Sequence, residues 1–200
     1  NKFLPYHKNL LVIDQQDILK KSNHMKKLCF GFMLFCSLLH TSHAAELSCK
    51  TDYDSIISPD LLKISEELKN NHYDILKQKT HSSLIQFSGG EHAYAELLDV
   101  AKSFLDQANI KIMDVQLKPP LDSYQVGNEE LCFIPKQISM KMAGQDIQSP
   151  PSFFIAVRPL DAHVWTYLDG AGLQQDPQLI FTLFPSFPKE VKLPFQPVAE

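Results

Sequence analysis

Residues 131–170, LCFIPKQISM KMAGQDIQSP PSFFIAVRPL DAHVWTYLDG, decide the fold. Cys132, Ile134, Ile138, Met140 and Met142 all sit at even positions, so a strand puts them on one face of a sheet. Ala143-Gly144-Gln145-Asp146 supplies turn residues. Phe153-Phe154-Ile155-Ala156-Val157 is an apolar run bounded by prolines. A second turn at Pro159–Ala162 leads into His163-Val164-Trp165-Thr166-Tyr167-Leu168, which Asp169-Gly170 closes. Aromatic and β-branched residues between turn clusters predict three consecutive antiparallel strands, the last carrying the only tryptophan, Trp165.

Upstream of this sheet the chain reads as helical. Ser58-Pro59-Asp60 joins a capping hydroxyl, a proline for the first helical position and a first-turn acid. Leu61, Ile64, Leu68, Ile75 and Leu76 then form an apolar stripe to about Gln78. Leu84-Ile85-Gln86-Phe87 is too short to divide between helix and strand. Ser88-Gly89-Gly90-Glu91 has capping-box spacing. Tyr94, Leu97, Leu98, Ala101, Phe104, Leu105 and Ala108 follow at helical period. Ile110–Leu117 predicts a strand, Pro119-Pro120 ends it, and Ser123–Val126 predicts another short one. After the sheet, Asp176-Pro177 starts a helix of about two turns through Leu179, Ile180, Leu183 and Phe184. Pro185, Pro188, Pro194 and Pro197 mark an extended tail. Phe181, Phe184, Phe187 and Phe195 give that segment two readings, folding back to seal the sheet or offering a docking patch, and the short capped helix favours the first.

The other end of the chain speaks to compartment. Met25-Lys26-Lys27, an apolar run from Leu28 to Leu39 and Ser42-His43-Ala44 form a secretory signal peptide, with cleavage expected after Ala44. The run is shorter than the roughly 20 residues a transmembrane span needs. Residues 1–24 precede that complete signal and are expected to be an upstream extension with no role. Glu46-Leu47-Ser48 does not prepare Cys49 for lipidation. The predicted organisation is an extension at 1–24, a signal at 25–44, a polar arm at 45–57 and one α+β domain at 58–200 with a proline-rich tail. The expected location is the periplasm, with no membrane insertion after cleavage.

Charge follows from that division. The full 200 residues hold 19 Lys+Arg and 23 Asp+Glu. Residues 1–44 hold six of the bases and two of the acids, leaving 13 against 21, a net −8, from Ala45 onward. No basic stripe remains, which argues against nucleic acid and anionic membrane surfaces as partners. Two cysteines remain, Cys49 and Cys132, and an even pair in an oxidising compartment predicts one disulfide.

Helix, the Thr80-His81 segment, Gly89-Gly90, a second helix and then about four strands resemble the cone-shaped NTF2-like superfamily, with its cystatin-like arrangement of helices on a curved sheet. Trp165-Thr166-Tyr167-Leu168-Asp169-Gly170, Leu183-Phe184-Pro185 and Lys192-Leu193-Pro194 also resemble small exported bacterial proteins without assigned function. The resemblance covers roughly residues 58–194 and implies an α+β cone. That superfamily hosts isomerases, dehydratases and non-catalytic binders, so it implies no single activity.

Chemistry-bearing motifs are sparse. There is no GxSxG, HExxH, CxxC or phosphate loop, and no cofactor is expected. Four histidines follow Ala44 (His72, His81, His92 and His163) without metal-ligand spacing, so no metal is expected either. His81 enters the segment that approaches the open end of a cone. There it either pairs with Asp122, Tyr124 or Asp169 as an acid–base couple or simply bonds a neighbouring carbonyl. Trp165 and Tyr167 share one side of their strand, as core or as a ligand platform. Arg158, the only arginine, is expected in a surface ion pair with Asp161 or Asp169. His81, Tyr124, Trp165, Tyr167 and Asp169 are therefore the candidate ligand-binding residues.

Three functions compete. The first is an exported non-catalytic binding protein for a small apolar ligand or a protein partner, including the inhibitor or immunity type, with a homodimer compatible. The second is an isomerase or lyase using His81 with an acid. The third is a structural factor of the envelope.

Overall fold

The computed structural model describes residues 47–195. The predicted signal peptide and upstream extension lie outside the described residues. Within them the protein is α+β, with helices packed against a strongly curled antiparallel sheet that forms a cone-like half-barrel.

Helix begins at Cys49, inside the segment expected as a polar arm and nine residues before Ser58. Helix α1 (Cys49–Asp52) runs through a π turn (Tyr53–Ile57) into α2 (Ser58–Lys69). Pro59 explains both the sequence reading and its correction. In a regular helix its ring would press on the carbonyl of Ser55 and leave that carbonyl without a donor. The π turn shifts the pattern by one residue, and Ser58 N–H donates to the Tyr53 carbonyl. The proline thus sits in continuous helix rather than at its start.

The long stripe expected to reach Gln78 is divided. Asn71 takes a left-handed conformation (φ 59°), and a separate helix α3 (Asp74–Lys79) follows. Helix α4 (Ser82–Phe87) settles the ambiguous Leu84–Phe87 stretch. Helix α5 (Glu91–Gln107) is capped by Gly90 without a side-chain bond. Ser88, expected to close a capping box, instead donates its hydroxyl to the Leu84 carbonyl.

The sheet comprises β1 (Ile110–Leu117), β2 (Ser123–Val126), β3 (Glu129–Met142), β4 (Gln145–Gln148), β5 (Ser152–Pro159) and β6 (Thr166–Asp169). Residues 131–170 thus hold four strands rather than three. Only Ala143 (φ 50°) and Gly144 (φ 83°) form the tight turn, and Gln145 already pairs with Met142. Two central residues at positive φ match the primed hairpin turn whose twist suits flanking strands.

The long strand β3 is the axis. Along one edge β1 pairs with its second half and β2 with its first; along the other, β4 pairs with its second half and β5 with its first. Each flank is one strand interrupted by a proline pair, Pro119-Pro120 or Pro150-Pro151. Pro135 lies within β3, where a missing N–H is ordinarily costly. Its carbonyl accepts from Lys118. In an extended strand the nitrogen points the same way, so the absent donor faces the interrupted edge. Met113 is the extra residue of a bulge in β1.

Both faces of the first half of β3 are covered. On one, Ile57, Leu61 and Ile64 pack with Cys132, Ile134, Phe154 and Ala156. On the other, Phe133, Phe153, Ile155 and Leu168 meet helices α6 (Ala171–Gln175) and α7 (Leu179–Leu183) and the tail residues Phe187 and Leu193. The aromatic C-terminal segment therefore folds back and seals the sheet. Gly170 permits this closeness, since a Cβ there would lie 2.1 Å from the Phe153 ring.

Cys49 and Cys132 form a disulfide across 83 residues, tying α1 to β3. The chain-entropy account gives such a loop roughly 4–5 kcal/mol, and measured values usually fall below that.

Candidate functional site

The candidate residues named from sequence do not meet in one place. Trp165 is buried against α1, and its indole N–H donates to Asp52 Oδ2 at 2.9 Å. The Tyr167 hydroxyl donates to Asp60 Oδ2 at 2.9 Å, an oxygen that also takes the Lys79 ammonium at 2.7 Å. Both rings lie in the core under the N-terminal helices, not on an open platform. Burial first, and Asp60 second, hold the Tyr167 phenol far above its ordinary pKa. Tyr124 lies across the sheet from them, tilted against Phe133 and Phe187.

His81 is buried and fully engaged. The Thr80-His81 segment runs beside β6, with a parallel bridge from Thr80 to Tyr167. His81 caps α4: Ser83 N–H donates to its Nδ1 at 3.2 Å, and Ser83 Oγ lies 2.8 Å from the same nitrogen. A nitrogen that accepts from a backbone N–H carries no proton, so the ring proton sits on Nε2, 3.0 Å from Glu129 Oε1. The acid beside His81 is therefore Glu129, and neither Asp122 nor Asp169 stands among its hydrogen-bond partners. Ser83, His81 and Glu129 have the composition of a nucleophile–base–acid relay. The Nδ1 lone pair is nevertheless committed to the cap, and the Phe184 ring covers the imidazole at 5.4 Å.

Asp169 belongs to a different place. It borders a groove of about 670 Å³ that opens where Ser149-Pro150-Pro151 interrupts the outer strand. Lys136 enters the floor of this groove from β3, and its ammonium pairs with Asp169 Oδ2. The Lys136 side chain is 1% exposed whereas that of Asp169 is 53% exposed. The ammonium also lies 4.0 Å from the centre of the Phe154 ring, a favourable cation–π placement. Asp169 Oδ1 accepts the Ala171 N–H at the start of α6. Ile138, both prolines and Phe195 make the walls largely apolar, with Gln174 at the rim. Gln174 holds that rim by donating to the Pro151 and Phe195 carbonyls.

Glu130 and Arg158 form a second, wholly enclosed pair. Arg158 Nε donates to Glu130 Oε2 at 2.8 Å, with both side chains at most 3% exposed. The surface ion pair expected for Arg158 is thereby corrected. Glu130 also accepts the backbone N–H groups of Ser48 (3.0 Å) and Cys49 (2.8 Å), so it caps α1 from the sheet face on which that helix lies. Arg158 Nη1 reaches the carbonyls of Pro159, Leu160 and Ala162.

Glu130 and Lys136, like Ser83 and Glu129 beside His81, are residues that sequence reasoning passed over. The signal for Glu130 and Lys136 lay in the same alternation that revealed the strand. Even positions 130 to 138 read Glu, Cys, Ile, Lys, Ile, so two charged side chains interrupt an apolar face and demand buried partners. Among the described residues, no group of three His, Cys, Asp or Glu side chains is arranged to hold a metal ion. No family model, no curated protein and no solved structure matches the chain, so the groove and its Lys136–Asp169 pair stand on this chain's own geometry.

Proposed function

We propose that the chain is an exported, non-catalytic binding protein of NTF2-like kind. Its ligand is a small, mainly apolar molecule carrying one acidic group. One observation carries this reading: a nearly fully enclosed ammonium, that of Lys136, at the base of a largely apolar groove of about 670 Å³. That volume falls in the range of small-molecule sites, which combine apolar walls with a few placed polar groups. Asp169 is the movable partner. Half of its side chain is in water, and it retains the Ala171 N–H if it releases the ammonium. A ligand carboxylate then takes its place beside Lys136 while the alkyl part covers the prolines.

The test compares decanoate with decanol. Decanoate is expected to raise the melting temperature of the wild type and to lose that effect in Lys136→Met. Equal stabilisation by decanol, or an undiminished effect in Lys136→Met, overturns the reading.

A second reading is an isomerase or lyase with His81 and Glu129 as its acid–base pair, and it requires His81 Nδ1 to leave the α4 cap. A folded His81→Ala protein with unchanged cellular phenotype removes it.

A further inference from the structure

Helix α5 leaves half of its apolar arc uncovered. Tyr94 and Leu98 are buried against the domain, but Leu97, Val100 and Phe104 are 53%, 65% and 64% exposed. With Ala93 they are spaced by four, three and four residues. At 3.6 residues per turn that spacing draws one line along the helix, about 16 Å long from Ala93 to Phe104. It is also the spacing by which one helix receives another, knobs into holes. Clustered exposure of this kind marks interaction sites, whereas lone surface leucines need no explanation.

Charge selects the occupant. The same helix carries Glu91, Glu96, Asp99 and Asp106 against one base, Lys102, and residues 45–200 share the acidic excess. A second copy would set one acidic helix against another. A cationic amphipathic helix meets the apolar line, Glu96 beside it and the net negative charge of the helix and of residues 45–200. We infer that the exposed face of α5 is a docking surface for a basic amphipathic helix of a partner protein, about three turns long. This surface shares no residue with the Lys136–Asp169 groove, and the inference does not rest on ligand binding there.

The probe is a fluorescent fifteen-residue peptide of Leu and Lys, with Leu at the knob positions, against a composition-matched scramble. Binding by the full chain is expected to favour the patterned peptide over the scramble. Val100→Glu and Phe104→Glu should each weaken it at least tenfold without lowering the melting temperature, since both side chains stand in water. Leu62→Glu is the control: it adds the same charge at an exposed site on α2 and should leave affinity within twofold. Three outcomes overturn the proposal: equal weakening by Leu62→Glu, equal binding of the scramble, or a dimer in light scattering that Phe104→Glu dissolves. The last would make a second copy the occupant.

Discussion

Strand β3 carries two ion pairs on one face, Glu130 with Arg158 and Lys136 with Asp169, and the two ends of the strand treat them differently. The first half is buried from both sides, by the N-terminal helices and by the returning C-terminal segment. In the second half, residues 137–141 are only partly covered and Met142 is exposed. Glu130–Arg158 lies deep in the sealed half, and every partner of its carboxylate belongs to the fold. Lys136–Asp169 lies at the boundary, with one member enclosed and the other half in water. Burial on both sides encloses both members of an ion pair; burial on one side leaves one member open to water.

Breaking the sealed pair should have the largest effect. Glu130→Gln or Arg158→Met strands a charge in the core, and each is expected to cost about 3–5 kcal/mol in denaturant unfolding. Replacing both, Glu130→Leu with Arg158→Met, should cost clearly less than the sum of the single changes, because no charge is then stranded. An additive double variant would show that the two groups act independently, and would end the comparison.

The boundary pair sharpens the contrast through its asymmetry. Asp169→Asn leaves the enclosed Lys136 ammonium without a counter-charge and is expected to cost about 1–3 kcal/mol. Lys136→Met leaves only a carboxylate that water already reaches, so stability should change by less than about 1 kcal/mol. Equal costs would mean that the groove is as closed as the core.

The smallest expected effect is seen at alkaline pH. Tyr167 lies on the sealed side, and burial together with Asp60 raises its pKa in the fold. The unfolded phenol ionises near pH ~10. Its contribution is therefore complete below that value and is lost progressively as pH rises above it. Burial also raises the pKa values of Tyr53, Tyr73, Tyr94 and Tyr124. Melting temperature should fall above about pH 10, and Tyr167→Phe should flatten that fall without abolishing it.

Strand periodicity made most of the sheet legible. Residues 110–117 and 123–126 were expected as strands and are strands, because two-residue alternation is a local property. Boundaries went astray where two local rules conflicted. Pro59 satisfied the rule for a helix start, yet a π turn absorbed it within continuous helix. Gly144 needed only Ala143 beside it to turn the chain, so Gln145 and Asp146 were left to pair as strand. The site was less legible. The alternation put Asp169 at a strand end but could not name its partner, which lies 33 residues earlier in the chain.

The sequence alone determined the α+β class, the sheet between residues 110 and 170, the Cys49–Cys132 pairing and the return of the aromatic tail. The class and the sheet follow from period and turn chemistry, which neighbouring residues decide among themselves. The cysteine pair and the tail's return follow from residue type, two thiols after Ala44 and a run of aromatics. Only the tertiary structure decided that Glu130 caps a helix more than 80 residues earlier in the chain, that His81 is spent on a cap with Glu129 behind it, and that Lys136 ends in a groove. Those outcomes depend on which distant element arrives beside a buried charge. Satisfying that charge is a requirement that the local pattern states but cannot meet.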